Sequence, residues 1–264
     1  MGSEKAKSIY IITGVLIALV AISFARLSYG VILPFMKDGL SISYKSAGGL
    51  GTFTSLGYLM TIMIAGNLAT KWGGKNTILL GLFIICIGFF NLSITVTYWY
   101  SSVFMFLLGV GTAFVFTSLI AILIEWFPQK RGFVIGCVNS SAGIGLLFVG
   151  ILVPFLTDLY PETSWRLTWK LFCIIGVFVF FLTVLFIKNP AMKETSIQPT
   201  STANKIYTNR CVIKVGLIYG IVGMTFIIQS IFIISFMLDP GLEQQFAGQV
   251  ISFSGILSIF SSPF

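Results

Sequence analysis

Long apolar runs alternate with short polar joints along the whole chain. The runs cover residues 9–35, 47–70, 77–96, 100–125, 132–156, 167–187, 212–238 and 247–264. Each is long enough to cross a hydrocarbon layer of ~30 Å as a helix with some tilt. A helix satisfies its own backbone groups in lipid, whereas a lone strand does not. Barrel strands would show alternating segments of ~10 residues, and this pattern is absent. Eight membrane helices are therefore predicted. The first run is also too long for the ~7–15-residue core of a cleaved signal peptide, so it reads as a retained span.

The joints carry helix-breaking chemistry: Lys37-Asp38-Gly39, Trp72-Gly73-Gly74-Lys75, Phe127-Pro128-Gln129-Lys130-Arg131-Gly132 and Asp239-Pro240-Gly241. One joint, residues 188–211, is long and contains Pro190, Pro199 and several Ser and Thr residues, the composition of a solvated linker. The expected organisation is a six-helix transmembrane bundle over residues 1–187, a cytoplasmic linker over 188–211, and helices 7 and 8 of an incomplete second bundle over 212–264. Six helices, a linker and further helices is the layout of transporters built from two pseudo-symmetric bundles.

Composition agrees with this pattern. Of 264 residues, 56% are hydrophobic and 9% charged, against about 25% charged in soluble domains. A disordered chain or an ordinary soluble enzyme is excluded. The net charge of +8 is a topology signal. With the N-terminus cytoplasmic, one side holds Lys5, Lys7, Lys71, Lys75, Lys130, Arg131, Lys188, Lys193, Lys205, Arg210 and Lys214, while the other holds Lys37, Lys45, Arg166 and Lys170. Asp38, Asp158, Glu162, Asp239 and Glu243 lie on that second side. Basic residues dispersed over short loops do not make a nucleic-acid surface. The chain reads as an integral multi-pass protein of a bacterial-type plasma membrane, with the lipid bilayer and a small-molecule solute as its partners.

Histidine is absent, which removes His-based triads and proton relays. Cys86, Cys137, Cys173 and Cys211 show no metal spacing and read as small buried residues. There is no Walker A loop or dinucleotide fingerprint. No enzyme activity, metal or cofactor is expected.

The loop Gly66-Asn67-Leu68-Ala69-Thr70-Lys71-Trp72-Gly73-Gly74-Lys75 resembles the G-x-L-a-D-r-x-G-r-k loop of the major facilitator superfamily. Gly66, Leu68, Ala69, Lys71, Gly73 and Lys75 match in type and place. Thr70 stands where the family has an Asp that helps latch the two bundles, and Met105 stands where many members have an Arg four residues before Gly109-Val110-Gly111. The second departure weakens a proton-coupled drug-antiporter reading. The stretch 26–36, the pattern Ala47-Gly48-Gly49-Leu50-Gly51 with Gly57-Tyr58-Leu59, and Glu125-Trp126-Phe127-Pro128 followed by Arg131-Gly132 resemble the YbfB/YjiJ-like branch. The resemblance implies an all-α membrane protein, a major-facilitator-type six-helix bundle plus the first two helices of a second bundle. Two full bundles need ~400 residues by span and loop lengths, so the chain reads as C-terminally truncated and as unable to complete a translocation path alone.

Arg26 is the one basic residue in the interior of a span. Such a charge costs at least ~2.5 kcal/mol to insert, so it normally faces a cavity. Ser23, Tyr29 and Gly30 fall near it at helical spacing. It reads as a bidentate ligand for an anionic group, against a competing reading as a snorkelling or structural residue. Tyr29, Tyr58, Asn139 and Gln229 are the other candidate substrate-binding residues, and each is equally readable as an interhelical hydrogen bond. Asn91, on helix 3, is expected to be peripheral. Gly66, Lys71, Gly73, Lys75 and Arg131 are candidate conformational-switch residues, their basic side chains suited to helix C-termini or acidic groups. Glu125 is expected to pair with Lys130, Arg131 or a Lys of the loop between helices 2 and 3. Small residues on helix 2 (Gly48, Gly51, Thr52, Ser55) and helix 5 (Gly136, Ser140, Gly143, Gly145, Gly150) suit close helix packing or sliding faces. No Asp or Glu lies in the middle of a span, so the sequence leaves a coupling ion, including a proton, open. The leading expectation is a secondary transporter that moves a small anionic organic solute by alternating access. Efflux of amphipathic compounds and a multi-span receptor are the alternatives.

Overall fold

The computed structural model describes residues 4–189, 210–238 and 243–261. Every described element is helical. The first span is composite: α1 (Glu4–Ala18), a π-helical segment (Leu19–Leu27) and α2 (Tyr29–Gly39). Then follow α3 (Tyr44–Trp72), α4 (Gly74–Ile94), α5 (Tyr98–Trp126), α6 (Arg131–Leu159) and α7 (Ser164–Phe186). Two further helices, α8 (Arg210–Leu238) and α9 (Gln244–Ser261), complete the described chain. Most of the expected linker, 190–209, lies outside the described residues.

Among the described residues, seven helices are long and apolar enough to cross a membrane by length and composition. The eighth expected span, α9, carries Gln244, Gln245 and Gln249 and is less apolar. It nevertheless runs antiparallel along α6, with contacts from Gln245–Asp158 at one end to Ile259–Ser140 at the other.

The joints behave as their residues dictate. Gly73 adopts φ +85°, which turns the chain directly from α3 into α4. Ser43 caps α3 through its Oγ, 3.2 Å from the Ser46 amide nitrogen. Pro128 separates α5 from α6.

The core is aromatic where three elements meet. Phe24 of the π-segment stacks on Phe172 of α7 at 4.2 Å, and Phe89 of α4 and Trp169 of α7 close the cluster. Elsewhere the helices approach through glycine, because association in lipid relies on van der Waals contact between backbones. At the α3–α5 crossing, a Cβ on Gly109 would strike the Thr54 carbonyl, and one on Gly57 would strike that of Phe106. α6 and α9 meet through two reciprocal pairs: a Cβ on Gly255 would lie 2.6 Å from the Gly143 carbonyl oxygen, and one on Gly150 would lie 2.7 Å from that of Gly248. The glycine-rich stretches of helices 2 and 5 are thus contact faces for α8 and α9: Phe232 of α8 packs on Gly48, and Ile231 on Gly51. Apolar side chains such as Phe83, Phe90, Phe178 and Phe181 point outward, as a lipid-facing surface requires.

Candidate functional site

The first span is interrupted where the sequence places its charge. The Ser28 amide donates to the Ser23 carbonyl at 2.8 Å, a bond spanning five residues instead of four. Pro34, inside α2, supplies no amide donor toward Gly30. Arg26 therefore sits in an irregular segment, the setting in which π-bulges often mark functional positions.

α3 supplies the opposing wall. The α3–α5 crossing at Gly57 and Gly109 fixes Tyr58, whose ring lies beneath the Arg26 guanidinium, 4.8 Å from the centroid. That is within the ~6 Å reach of a cation–π interaction. Tyr29 is buried, and its hydroxyl donates to the Ala47 carbonyl at 2.6 Å, tying α2 to α3. The Tyr29 hydroxyl proton is therefore already committed to a structural bond.

α8 closes the site. A Cβ on Gly30 would collide with the Ser230 carbonyl oxygen, so α8 lies as near α2 as backbones allow. Between the three elements is a narrow cleft lined by Arg26, Leu27 and Tyr29, by Gly51, Thr54 and Ser55, and by Ile227, Ser230 and Ile231. About 40 Å³ of it admits the centre of a water molecule, room for a few waters. Among the described residues no carboxylate faces Arg26 and no acceptor takes a hydrogen bond from it. The one ion pair among them is Lys37–Asp38, at 2.7 Å. The arrangement is a half-buried cation with unused donors at a narrow cleft.

The other candidates fall elsewhere. Gln229 is exposed on α8 and borders a separate apolar cleft with Thr225, Ile228, Ile233 and Phe236. Asn139 is exposed on α6. Asn91 is an interhelical tie, accepting from the Tyr100 hydroxyl at 2.6 Å. Thr54, Ser55 and Ser230 line the cleft and were missed by the sequence reading. Ser230 sits three residues after Ile227 on the same helical face, a weak signal that sequence could have offered.

The loop between α3 and α4 is anchored at its far end. Lys75 donates from Nζ to the Val184 carbonyl in the last turn of α7 at 2.7 Å, and its amide donates to the Asn189 side chain at 2.8 Å. A cation at a helix C-terminus is favourable. Lys71 and Arg131 are exposed, and Gly66 has open space around it. Glu125 is exposed and makes none of its expected ion pairs among the described residues.

Among the described residues the site is thus an arginine without an ion-pair partner, at a cleft between the first span, α3 and α8 of a helical bundle. Residues 15–264 match the Major Facilitator Superfamily, and the chain belongs to that family, one of membrane transporters and not of enzymes. It is 23% identical over 269 residues to the uncharacterized transporter YycB of Bacillus subtilis (strain 168), covering 99% of this chain and 65% of that protein. It is 30% identical over 156 residues to the benzoate transport protein of Acinetobacter baylyi, covering 56% of this chain and 32% of that one. The crystal structure of a D-xylose-proton symporter superposes with a TM-score of 0.69 at 14% identity, covering 95% of this chain and 66% of that chain. The chain thus spans less than two thirds of the length of each of these relatives.

Proposed function

We propose that the protein is a secondary transporter that moves a small anionic organic solute by alternating access, with Arg26 as the anion-binding group. The observation that carries this reading is the half-buried guanidinium, which borders a cleft and has no acidic partner among the described residues. A charge held at that depth is costly unless something compensates it, and a solute carboxylate would do so. Tyr58 flanks the guanidinium, and Thr54, Ser55 and Ser230 supply hydroxyls. Asn139 and Gln229 stand apart from this cluster in the present conformation.

The basic residues of the Lys71–Lys75 loop and of the α6 start would face the cytoplasm, with the N-terminus on the same side. That loop joins α3, which bears Tyr58, to α4 and is tied to the end of α7. It is placed to respond when the helices rearrange, which supports a role for Gly66, Lys71, Gly73, Lys75 and Arg131 in switching. A relative named for benzoate transport favours an anionic cargo.

The test is uptake by the full-length protein in proteoliposomes, screening labelled monocarboxylates, amino acids and lipophilic cations with and without a pH gradient. Saturable anion uptake that is abolished in Arg26→Gln is expected. Anion uptake that survives this substitution unchanged, or uptake confined to lipophilic cations, overturns the reading.

A further inference from the structure

We infer that the cleft selects a singly charged carboxylate with a compact apolar body, over dianions and polyhydroxylated anions, and that Ile227, Ser230 and Ile231 of α8 set this preference. The inference rests on the anion-binding reading of Arg26 and deepens it.

Charge is the first ground. Among the described residues Arg26 is the one cation lining the cleft, so the site offers compensation for one negative charge. A second carboxylate would be desolvated beside walls that carry no second cation.

The hydroxyls do not remedy this. Thr54 donates to the Leu50 carbonyl at 3.5 Å and Ser55 to the Gly51 carbonyl at 3.3 Å. Both bond back to their own helix, and a neutral hydroxyl carries no full charge to compensate a second carboxylate. The Tyr29 proton is committed to Ala47. Ser230 is left as the hydroxyl on the α8 wall.

The remaining surface is apolar. Leu27, Ile227 and Ile231 flank the cation, and Ile231 reaches across to α3, its Cδ1 lying 2.7 Å from the place a Cβ would occupy on Gly51. Polar groups on the solute body would lose water there without replacement. The narrowness of the cleft limits that body to a few carbons unless α8 withdraws.

The experiment is calorimetric titration of the purified full-length protein with butyrate, succinate, butyramide and inorganic phosphate. Butyrate and succinate share a four-carbon chain and differ by one charge at neutral pH. Butyrate is expected to bind at least ~10-fold more tightly than succinate or phosphate, given the cost of an uncompensated charge at this depth. Ser55→Lys, which adds a second cation to the wall, is expected to narrow or invert the butyrate-to-succinate ratio, and Ile231→Ala to admit branched monocarboxylates. Succinate binding as tightly as butyrate, with both lost in Arg26→Gln, overturns the inference and leaves the anion reading standing. Butyrate and butyramide binding equally, or no anion binding at all, overturns the reading beneath it. If Ser55→Lys fails to fold, the wild-type series decides the matter.

Discussion

Gly255→Ala tests whether α6 and α9 are held by backbone contact. The added Cβ would lie 2.6 Å from the Gly143 carbonyl oxygen and 2.7 Å from the Leu147 amide nitrogen. Ordinary contact begins at 3.4 Å, so the helices must part by the difference, about 0.8 Å. A gap of that size forfeits a quarter to a half of the dispersion energy for each atom pair across it. It also carries the Ser140 Oγ–Ile259 O bond from 3.1 Å to beyond hydrogen-bonding distance, together with the Ser252 Oγ–Leu147 O bond, now 3.4 Å. Each such bond is worth ~0.6 kcal/mol or more in a membrane protein. With the lost packing, the net cost is on the order of 2 kcal/mol. In detergent this should appear as a fall in Tm of about 5 °C. Gly66→Ala is the control: nothing lies near the site of its Cβ, and the alanine favours helix by up to ~1 kcal/mol. Equal Tm values for Gly255→Ala and wild type, or an equal loss in Gly66→Ala, would refute the account of α6–α9 packing.

Three further outcomes follow from single bonds. Tyr29→Phe leaves the Ala47 carbonyl without its 2.6 Å partner, and a thermal melt should show a loss of ~1–2 kcal/mol. Lys75→Met removes the Nζ–Val184 carbonyl bond at the α7 terminus; the loss should be about 0.3–1 kcal/mol and smaller at high salt, read by melts at two ionic strengths. Arg166→Met removes both a 2.8 Å bond to the Thr95 carbonyl and a cation–π contact with Trp165 at 4.2 Å, which should lower stability by ~1–2 kcal/mol, measured by detergent melts.

The positions of the helices were readable because run length and hydrophobicity act locally. The run 47–70 became α3 (Tyr44–Trp72), and Trp72-Gly73-Gly74 marked its end because only a residue tolerant of positive φ can make so short a turn. The π-segment was not readable. Residues 19–27 are apolar almost throughout, so neither periodicity nor turn chemistry distinguishes a five-residue hydrogen-bond register from a four-residue one. Glycine stripes were visible on helices 2 and 5, but their partners were not, since hydropathy says which surface avoids water and not what it meets. The site was legible in part for the same reason. Arg26 stands out because charge is rare in a span. Gln229 and Ser230 are adjacent polar residues that helix geometry turns about 100° apart, and it is Ser230 that borders the cleft.

The close contacts around Arg26 tie solute binding to helix movement on the proposed reading. The Ser230 carbonyl rests on Gly30, and Ile231 rests on Gly51, so α8 is already at the limit of approach to α2 and α3. The cleft has room for only a few waters. A solute of more than a few carbons therefore cannot occupy the site while both contacts persist, and α8 must withdraw to admit it. Withdrawal separates no ion pair among the described residues, because Arg26 has none to lose. The cost lies in parting two glycine-mediated surfaces, which is a matter of dispersion and falls steeply once a small gap opens. A carboxylate arriving at the guanidinium supplies compensating energy at the same place. That Arg26 has no acidic partner among the described residues is thus what lets one event, anion arrival, bias the contact between α8 and the first six spans.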